Sequence, residues 1–169
     1  MLYIRRAAAK DAQTIAVIQA ESWRRAYKEI LPPQSLEKLG SPSYWLEYWQ
    51  KELKASTAEH YIALEGDQAV GFFSLGEPEE EDREPGNREL RSIYFAPDHW
   101  RKGYGTQCMS FILSNVVEAG YRKLILWALK GNLIGSSFYT KLGFLQDGRE
   151  RKVKPDLPVT EVCFYKLLG

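Results

Sequence analysis

The stretch RELRSIYFAPDHWRKGYGTQCMSFILSNVVEAGYRKLILWALK, Arg88–Lys130, decides how the chain is read. RELRSIYF reads as a strand. It runs into a turn in which Arg101 and Lys102 precede Gly103 and Gly105. Beyond Gly105, Met109, Ile112, Leu113, Val116 and Val117 fall on one stripe of an amphipathic helix, and Gly120 is a natural stop for it. KLILWALK is then almost continuously apolar, as in a strand covered on both faces. Strand, glycine turn, helix, strand is a right-handed crossover joining parallel strands. The turn therefore lies where free N–H groups at a helix start favour an anion. Both glycines permit positive φ and close approach of a ligand, and the two cations add charge-assisted hydrogen bonds. A nucleotide P-loop would need Lys-Ser or Lys-Thr after the second glycine, but Thr106-Gln107 follows. A dinucleotide fingerprint would need a third glycine where Cys108 stands. Two readings remain, a pyrophosphate grip or a tight turn with a basic tip.

Outward from this unit, LYIRRA reads as a first strand and Asp11 as the N-cap of a helix running to about Glu29. Ala12, Ile15, Ala16, Trp23, Ala26 and Tyr27 share one face of it, interrupted by Gln19. LPPQSLEKLG starts a short second helix, and SPSYWLEYWQKEL a third that is rich in aromatics. HYIALE and QAVGFFSLG read as a hairpin turning at Gly66-Asp67. The loop that follows carries Glu77, Glu79, Glu80, Glu81, Asp82 and Glu84 against the single Arg83. Dense like charge of this kind stays in water, and its sharper reading is a lure for a cationic acceptor. After the crossover, GNLIGSSFYTKLGF is a helix capped by Asn132 and ending at Gly143, and FLQDGRERKV and TEVCFYKLL close the chain as strands. The fold class is α/β, a central twisted mixed sheet of about seven strands with helices on both faces.

At 169 residues the chain fits one domain. Residues 1–59 supply the first strand and the acceptor-side helices, 60–144 the meander and crossover core, and 145–169 the last strands. A net charge of +1 gives no general field for nucleic acid or a membrane surface. No apolar run approaches the ~20 residues that span a bilayer. Cys108 and Cys163 make neither a disulfide framework nor, with only His60 and His99 beside them, a metal site. MLYIRRAAAKDAQ lacks the apolar core of a signal peptide, so a reducing cytoplasm is expected.

Two motifs in this order resemble the GNAT N-acetyltransferase superfamily over nearly the whole chain. The family's acetyl-CoA motif, Gln/Arg-x-x-Gly-x-Gly/Ala after a strand, is matched from Gly103 onward, with Trp100 standing where Gln or Arg is usual. Its later motif is matched by Asn132, Tyr139, Lys141, Gly143 and Phe144. The resemblance implies a single GNAT-like domain that moves an acetyl group from acetyl-CoA to a primary amine of a small molecule or peptide, by direct attack in a ternary complex. It implies pyrophosphate binding by Arg101, Lys102, Gly103, Tyr104, Gly105 and Thr106. It also implies that Ile93, Tyr94 and Phe95 splay from the LILWAL strand and offer N–H groups to pantetheine and oxyanion, with Asn132 contacting pantetheine. Tyr139 corresponds to the tyrosine that acts as general acid on the thiolate and also touches the cofactor, and Glu89 to a carboxylate base. ESWRRAYKEILP resembles the segment walling the acceptor site, so Trp23 and Tyr27 become acceptor-pocket residues. The superfamily often dimerises.

Each of these side chains also has a plainer reading. Tyr139, Trp23 and Tyr27 fit ordinary core aromatics, Asn132 a simple cap, Glu89 a solvent-facing charge and Lys141 a helix-end cation. Gly135 and Ser136, at i−4 and i−3 from Tyr139, leave room for a close approach beside it. Two rival functions stay open. Cys108, in a helix's first turn where the dipole favours thiolate, suggests an acyl-cysteine route. A CoA-binding sensor would need the grip without catalytic groups.

Overall fold

A computed structural model describes residues 1–55, 57–153 and 159–169. The strands are β1 (Tyr3–Arg6), β2 (Glu59–Glu65), β3 (Gln68–Gly76), β4 (Asn87–Phe95), β5 (Lys123–Leu129), β6 (Leu145–Lys152) and β7 (Thr160–Leu167). The helices are α1 (Ala12–Ala26), α2 (Pro33–Leu39), α3 (Pro42–Ala55), α4 (Tyr104–Glu118) and α5 (Leu133–Lys141). The strands form one seven-stranded sheet in the order β1-β2-β3-β4-β5-β7-β6. Only β4 and β5 pair in parallel, the two strands that α4 connects. Among the described residues no helix is long and apolar enough to cross a membrane.

The sheet separates two cores. On one face Ile15, Ala16, Trp23, Trp45 and Trp49 of α1 and α3 pack on Ile62 and Phe72. On the other, Met109, Ile112 and Val116 of α4 pack on Phe73, Leu124, Leu126 and Phe164, with Phe138 and Tyr139 of α5 alongside. The apolar stripe of α4 is rotated from the one expected. Cys108 lies inside it at 0 % exposure, while Val117 faces solvent at 51 %. The Gly120 stop is a left-handed residue at φ 90, with Gly120 N–H donating to Val117 O and Tyr121 N–H to Val116 O.

Helix α1 departs from expectation at both ends and in its middle. Asp11 does not cap it; its carboxylate turns back to the Ala8 N–H at 2.7 Å and to Arg5 at 2.8 and 2.9 Å. The helix ends at Ala26, with Tyr27 leaving helical geometry at φ −111 before the Pro32-Pro33 pair. Gln19 does not interrupt the buried face. Its amide oxygen accepts the Trp49 indole N–H at 2.5 Å, so the polar group is satisfied where water cannot reach.

The acidic loop is not wholly solvated. Glu80–Asp82 form a single 3-10 turn, and Asp82 is buried against Arg149 at 3.0 Å. Arg149 also binds Asp147 and lies 5.4 Å over the Trp127 ring. One loop carboxylate thus ties the loop to the far end of the sheet.

Candidate active site

Strands β4 and β5 pair only from Asn87 with Lys123 to Leu90 with Leu126. Beyond that point β4 follows β3, matching Ser92 with Ser74 through Phe95 with Gly71, while β5 follows β7, matching Trp127 with Cys163 through Leu129 with Glu161. The sheet therefore opens into a V. The departure begins at a β-bulge, since Leu90 faces Leu75 and Ser92 faces Ser74, leaving Arg91 as the extra residue. Ala96 N–H donates to Val70 O on β3, so alternation along the strand turns the Phe95 and Ile93 peptide groups into the V. The Tyr94 peptide faces β3 instead, and Tyr94 reaches the opening by its side chain.

A cavity of about 800 Å³ fills the V. At one end lies the glycine turn. Gly103 takes φ 81, as expected, whereas Gly105 does not, being already helical. What Gly105 provides is space: a Cβ there would stand 3.1 Å from the Phe138 ring. The second left-handed residue of the turn is Arg101, at φ 60. Gln107 is the first α4 amide to reach a carbonyl of the helix start, Gly103 O at 3.1 Å. The amides of Tyr104, Gly105 and Thr106 precede it as first-turn donors. Arg101, Lys141, Gly103, Tyr104, Gly105 and Thr106 line the cavity, but the exposed Lys102 does not. Tyr104 turns its hydroxyl away, donating to Glu65. Trp100 acts as a strut, its indole N–H donating to Phe95 O at 2.7 Å beside Ser22 Oγ at 2.6 Å.

Along the other wall, α5 begins at Asn132, which both lines the cavity and caps the helix by accepting the Gly135 N–H at 3.1 Å. The space beside Gly135 belongs to this cap, since a Cβ there would meet Asn132 Nδ2 at 2.7 Å. Tyr139 also lines the cavity, wedged between Phe138, Phe144 and Phe164 at ring separations of 5.4, 5.9 and 5.5 Å. Burial, then the nearby Tyr94 hydroxyl, pushes its phenol above the ordinary range. It stays protonated at any physiological pH.

At the far end Trp23 and Tyr27 meet edge to face at 5.0 Å, with Tyr94 6.4 Å from Trp23. These rings are both core and cavity wall. Burial raises the Tyr27 and Tyr94 phenols, and the buried Trp23 indole N–H has no hydrogen-bond partner among the described residues. Three further lining residues, Arg91, Trp127 and Glu161, were not expected from the sequence. Glu161 is held by Arg151 at 2.8 Å, and Arg151 stacks 4.2 Å above Trp127. The exposed apolar side chains of Leu133 and Ile134, at the start of α5, form an unforeseen rim of the cavity.

Glu89 is neither solvent-facing nor on the cavity wall. It is 6 % exposed, and burial raises its carboxyl to about 7 against the opposing pull of Arg151 and Arg91. Cys108 is also absent from the lining, and burial pushes its thiol up to about 12. Desolvation overrides the helix dipole there, so the acyl-cysteine route has neither access nor thiolate. None of the acidic loop's side chains lines the cavity.

The profile of the acetyltransferase (GNAT) family matches residues 20–144. "Probable N-acetyltransferase Rv2775" of Mycobacterium tuberculosis is 29% identical over 90% of this chain and 84% of its own. The fold is shared with PaiA N-acetyltransferase from Thermoplasma acidophilum, solved with coenzyme A, at a TM-score of 0.77 and 20% identity over 99% of both chains. It is shared too with yncA of Salmonella typhimurium, solved with acetyl-CoA, at 0.70 and 17% over 100% of this chain and 95% of the other. The family match runs from within α1 through α5 and includes both the glycine turn and the Tyr139 helix, so this chain belongs to the acetyltransferase (GNAT) family.

Proposed function

We propose that the chain is an N-acetyltransferase moving acetyl from acetyl-CoA to a primary amine by direct attack in a ternary complex. The observation that carries this reading is the V between β4 and β5, with a glycine turn at a helix start at one end, aromatic rings at the other and Tyr139 also on the wall. The cosubstrate supplies an activated acetyl thioester. Its pyrophosphate fits the Tyr104, Gly105 and Thr106 amides and the Arg101 guanidinium. Its pantetheine arm fits the unpaired edge of β4, where the Ile93 and Phe95 amides face the opening. An amide so placed also suits the oxygen that gains charge as the amine attacks.

Attack makes the N–C bond and breaks the C–S bond. Tyr139, kept protonated by burial, gives its proton to the departing thiolate. An alkylamine near neutral pH is mostly protonated and must lose a proton before attack. Glu89, titrating at about 7, is matched to that task and, being off the cavity wall, takes the proton through water. Trp23 and Tyr27 wall the acceptor. The two coenzyme-bound neighbours support the cofactor assignment. Lys102 is left outside the site, and a role for Cys108 is not supported.

An assay of free CoA release across a panel of primary amines tests this reading. Thiol release that depends on an added amine is the expected result. Acetyl-CoA binding with no release for any amine would mean a non-catalytic sensor.

A further inference from the structure

Arg91 is the one bulged residue of β4, and bulges beside sites re-aim a side chain. Its guanidinium lies flat on Gly76 of β3. A Cβ on Gly76 would stand 2.5 Å from Arg91 Nε and 2.6 Å from Cζ, so the seat exists only because residue 76 is glycine. The Glu77 carbonyl, the first of the acidic loop, fixes the group by accepting from Nη2 at 2.9 Å. Bulge, seat and anchor are independent features, and all three fix the side chain of one residue that lines the cavity.

Arg5, Arg88, Arg149 and Arg151 each have a carboxylate partner, but Arg91 forms no ion pair among the described residues. Glu89 is one acid on which Arg91 acts, and burial raises that carboxyl to about 7. Arg101 belongs to the glycine turn and Lys141 ends α5, so Arg91 is a separate cation of the lining. It stands three residues before Tyr94, a Cα separation of at most ~10 Å along a strand.

On the acetyltransferase reading above, we infer that Arg91 binds a carboxylate of the amine acceptor, making the substrate class amines that carry an acidic group, amino acids included. A polyamine would meet an unpaired like charge there. The acidic loop serves this site by its backbone: it holds Arg91 in place, and its side chains stay outside.

The test compares each α-amino acid with its own α-carboxamide, and 4-aminobutyrate with 4-aminobutyramide, using wild type, Arg91→Gln and Arg91→Lys. Wild type should favour the carboxylate member of at least one pair by about 10–100-fold in kcat/KM, the worth of a charge-assisted hydrogen bond. Arg91→Gln should erase that preference and Arg91→Lys keep part of it, with acetyl-CoA affinity by calorimetry equal in all three. Equal use of every pair by wild type, or a preference that survives in Arg91→Gln, would overturn the proposal. Quenching of the lining tryptophans by the same amino acids reads carboxylate binding apart from turnover. Arg91-dependent quenching without acetyl transfer would refute the reaction and uphold the anion site. Transfer without any carboxylate preference would do the reverse.

Discussion

The ring of Phe138 is seated against Gly105, 3.1 Å from where a Cβ would stand, and this contact docks α5 onto the first turn of α4. The two motifs of the chain meet there, so the glycine turn and the Tyr139 helix are set by one packing distance. A branched side chain at 105 must displace the ring or the turn, and overpacking of this kind costs ~1–3 kcal/mol. Gly105→Val should therefore weaken acetyl-CoA by about 10–100-fold while the protein stays folded. Adding Phe138→Ala should restore part of the affinity, because the space returns. Calorimetry on the two variants checks both statements; an unchanged affinity in Gly105→Val would remove the turn from the cofactor site.

Tyr139 is set among Phe138, Phe144 and Phe164, so its ring position does not depend on its hydroxyl. Tyr139→Phe should keep the packing and the acetyl-CoA affinity and lower kcat by ~10²–10⁴-fold, the usual worth of a positioned proton donor. Steady-state rates matching wild type would assign thiolate protonation to water or substrate.

For Glu89 the consequence reaches beyond the rate. Its carboxyl is raised from 4.5 to about 7 in the folded chain, so the folded state holds a proton that the unfolded state releases. The stability it contributes is whole below about pH 4.5 and falls as pH rises to about 7, by roughly 3 kcal/mol in all. Glu89→Gln carries no such loss. The Tm of the variant should gain on wild type between those two pH values and run parallel above them. The same substitution should remove the acidic limb of the kcat/KM profile near pH 7. Parallel melting curves throughout would show that Glu89 titrates normally.

What could be read from the sequence follows the range of the interaction that fixed it. Strand β3 is bounded as expected, Gln68–Gly76, because Gly66-Asp67 and the acidic run punctuate it locally. The crossover with its glycine turn needed only patterns within one segment. Other features needed partners far along the chain. The bulge at Arg91 depends on the pairing of β4 with β3, and a strand pattern alone does not show an unpaired residue. Trp127 and Glu161 reach the site because β5 pairs with β7, which puts Leu129 opposite Glu161. Asp82 looked like one more solvated carboxylate until Arg149, 67 residues on, was found beside it. Cys108, expected in the first turn, is the fifth residue of α4, and whether it faces solvent or core is decided by how the helix rolls on the sheet. The spacing of 109, 112 and 116 suits either edge of the stripe, and packing chose the one containing Cys108.

Arg101 holds a left-handed backbone, φ 60, at a site where glycine would be less strained. The preference amounts to ~1–2 kcal/mol for a residue with a side chain. Its neighbour Trp100 is committed to the Phe95 carbonyl, so the cation of the turn that lines the cavity is Arg101 itself. Two substitutions separate strain from charge. Arg101→Ala removes the guanidinium and keeps the strain, whereas Arg101→Gly removes both. Each should weaken CoA by about tenfold or more, the loss of a charge-assisted contact to phosphate. Neither should weaken a pantetheine fragment that lacks the pyrophosphate. Only Arg101→Gly should melt higher than wild type, because only it relieves the backbone. Equal losses for CoA and the fragment would take the phosphate contact from Arg101. A Gly variant no more stable than the Ala variant would show that the turn stores no strain at this residue.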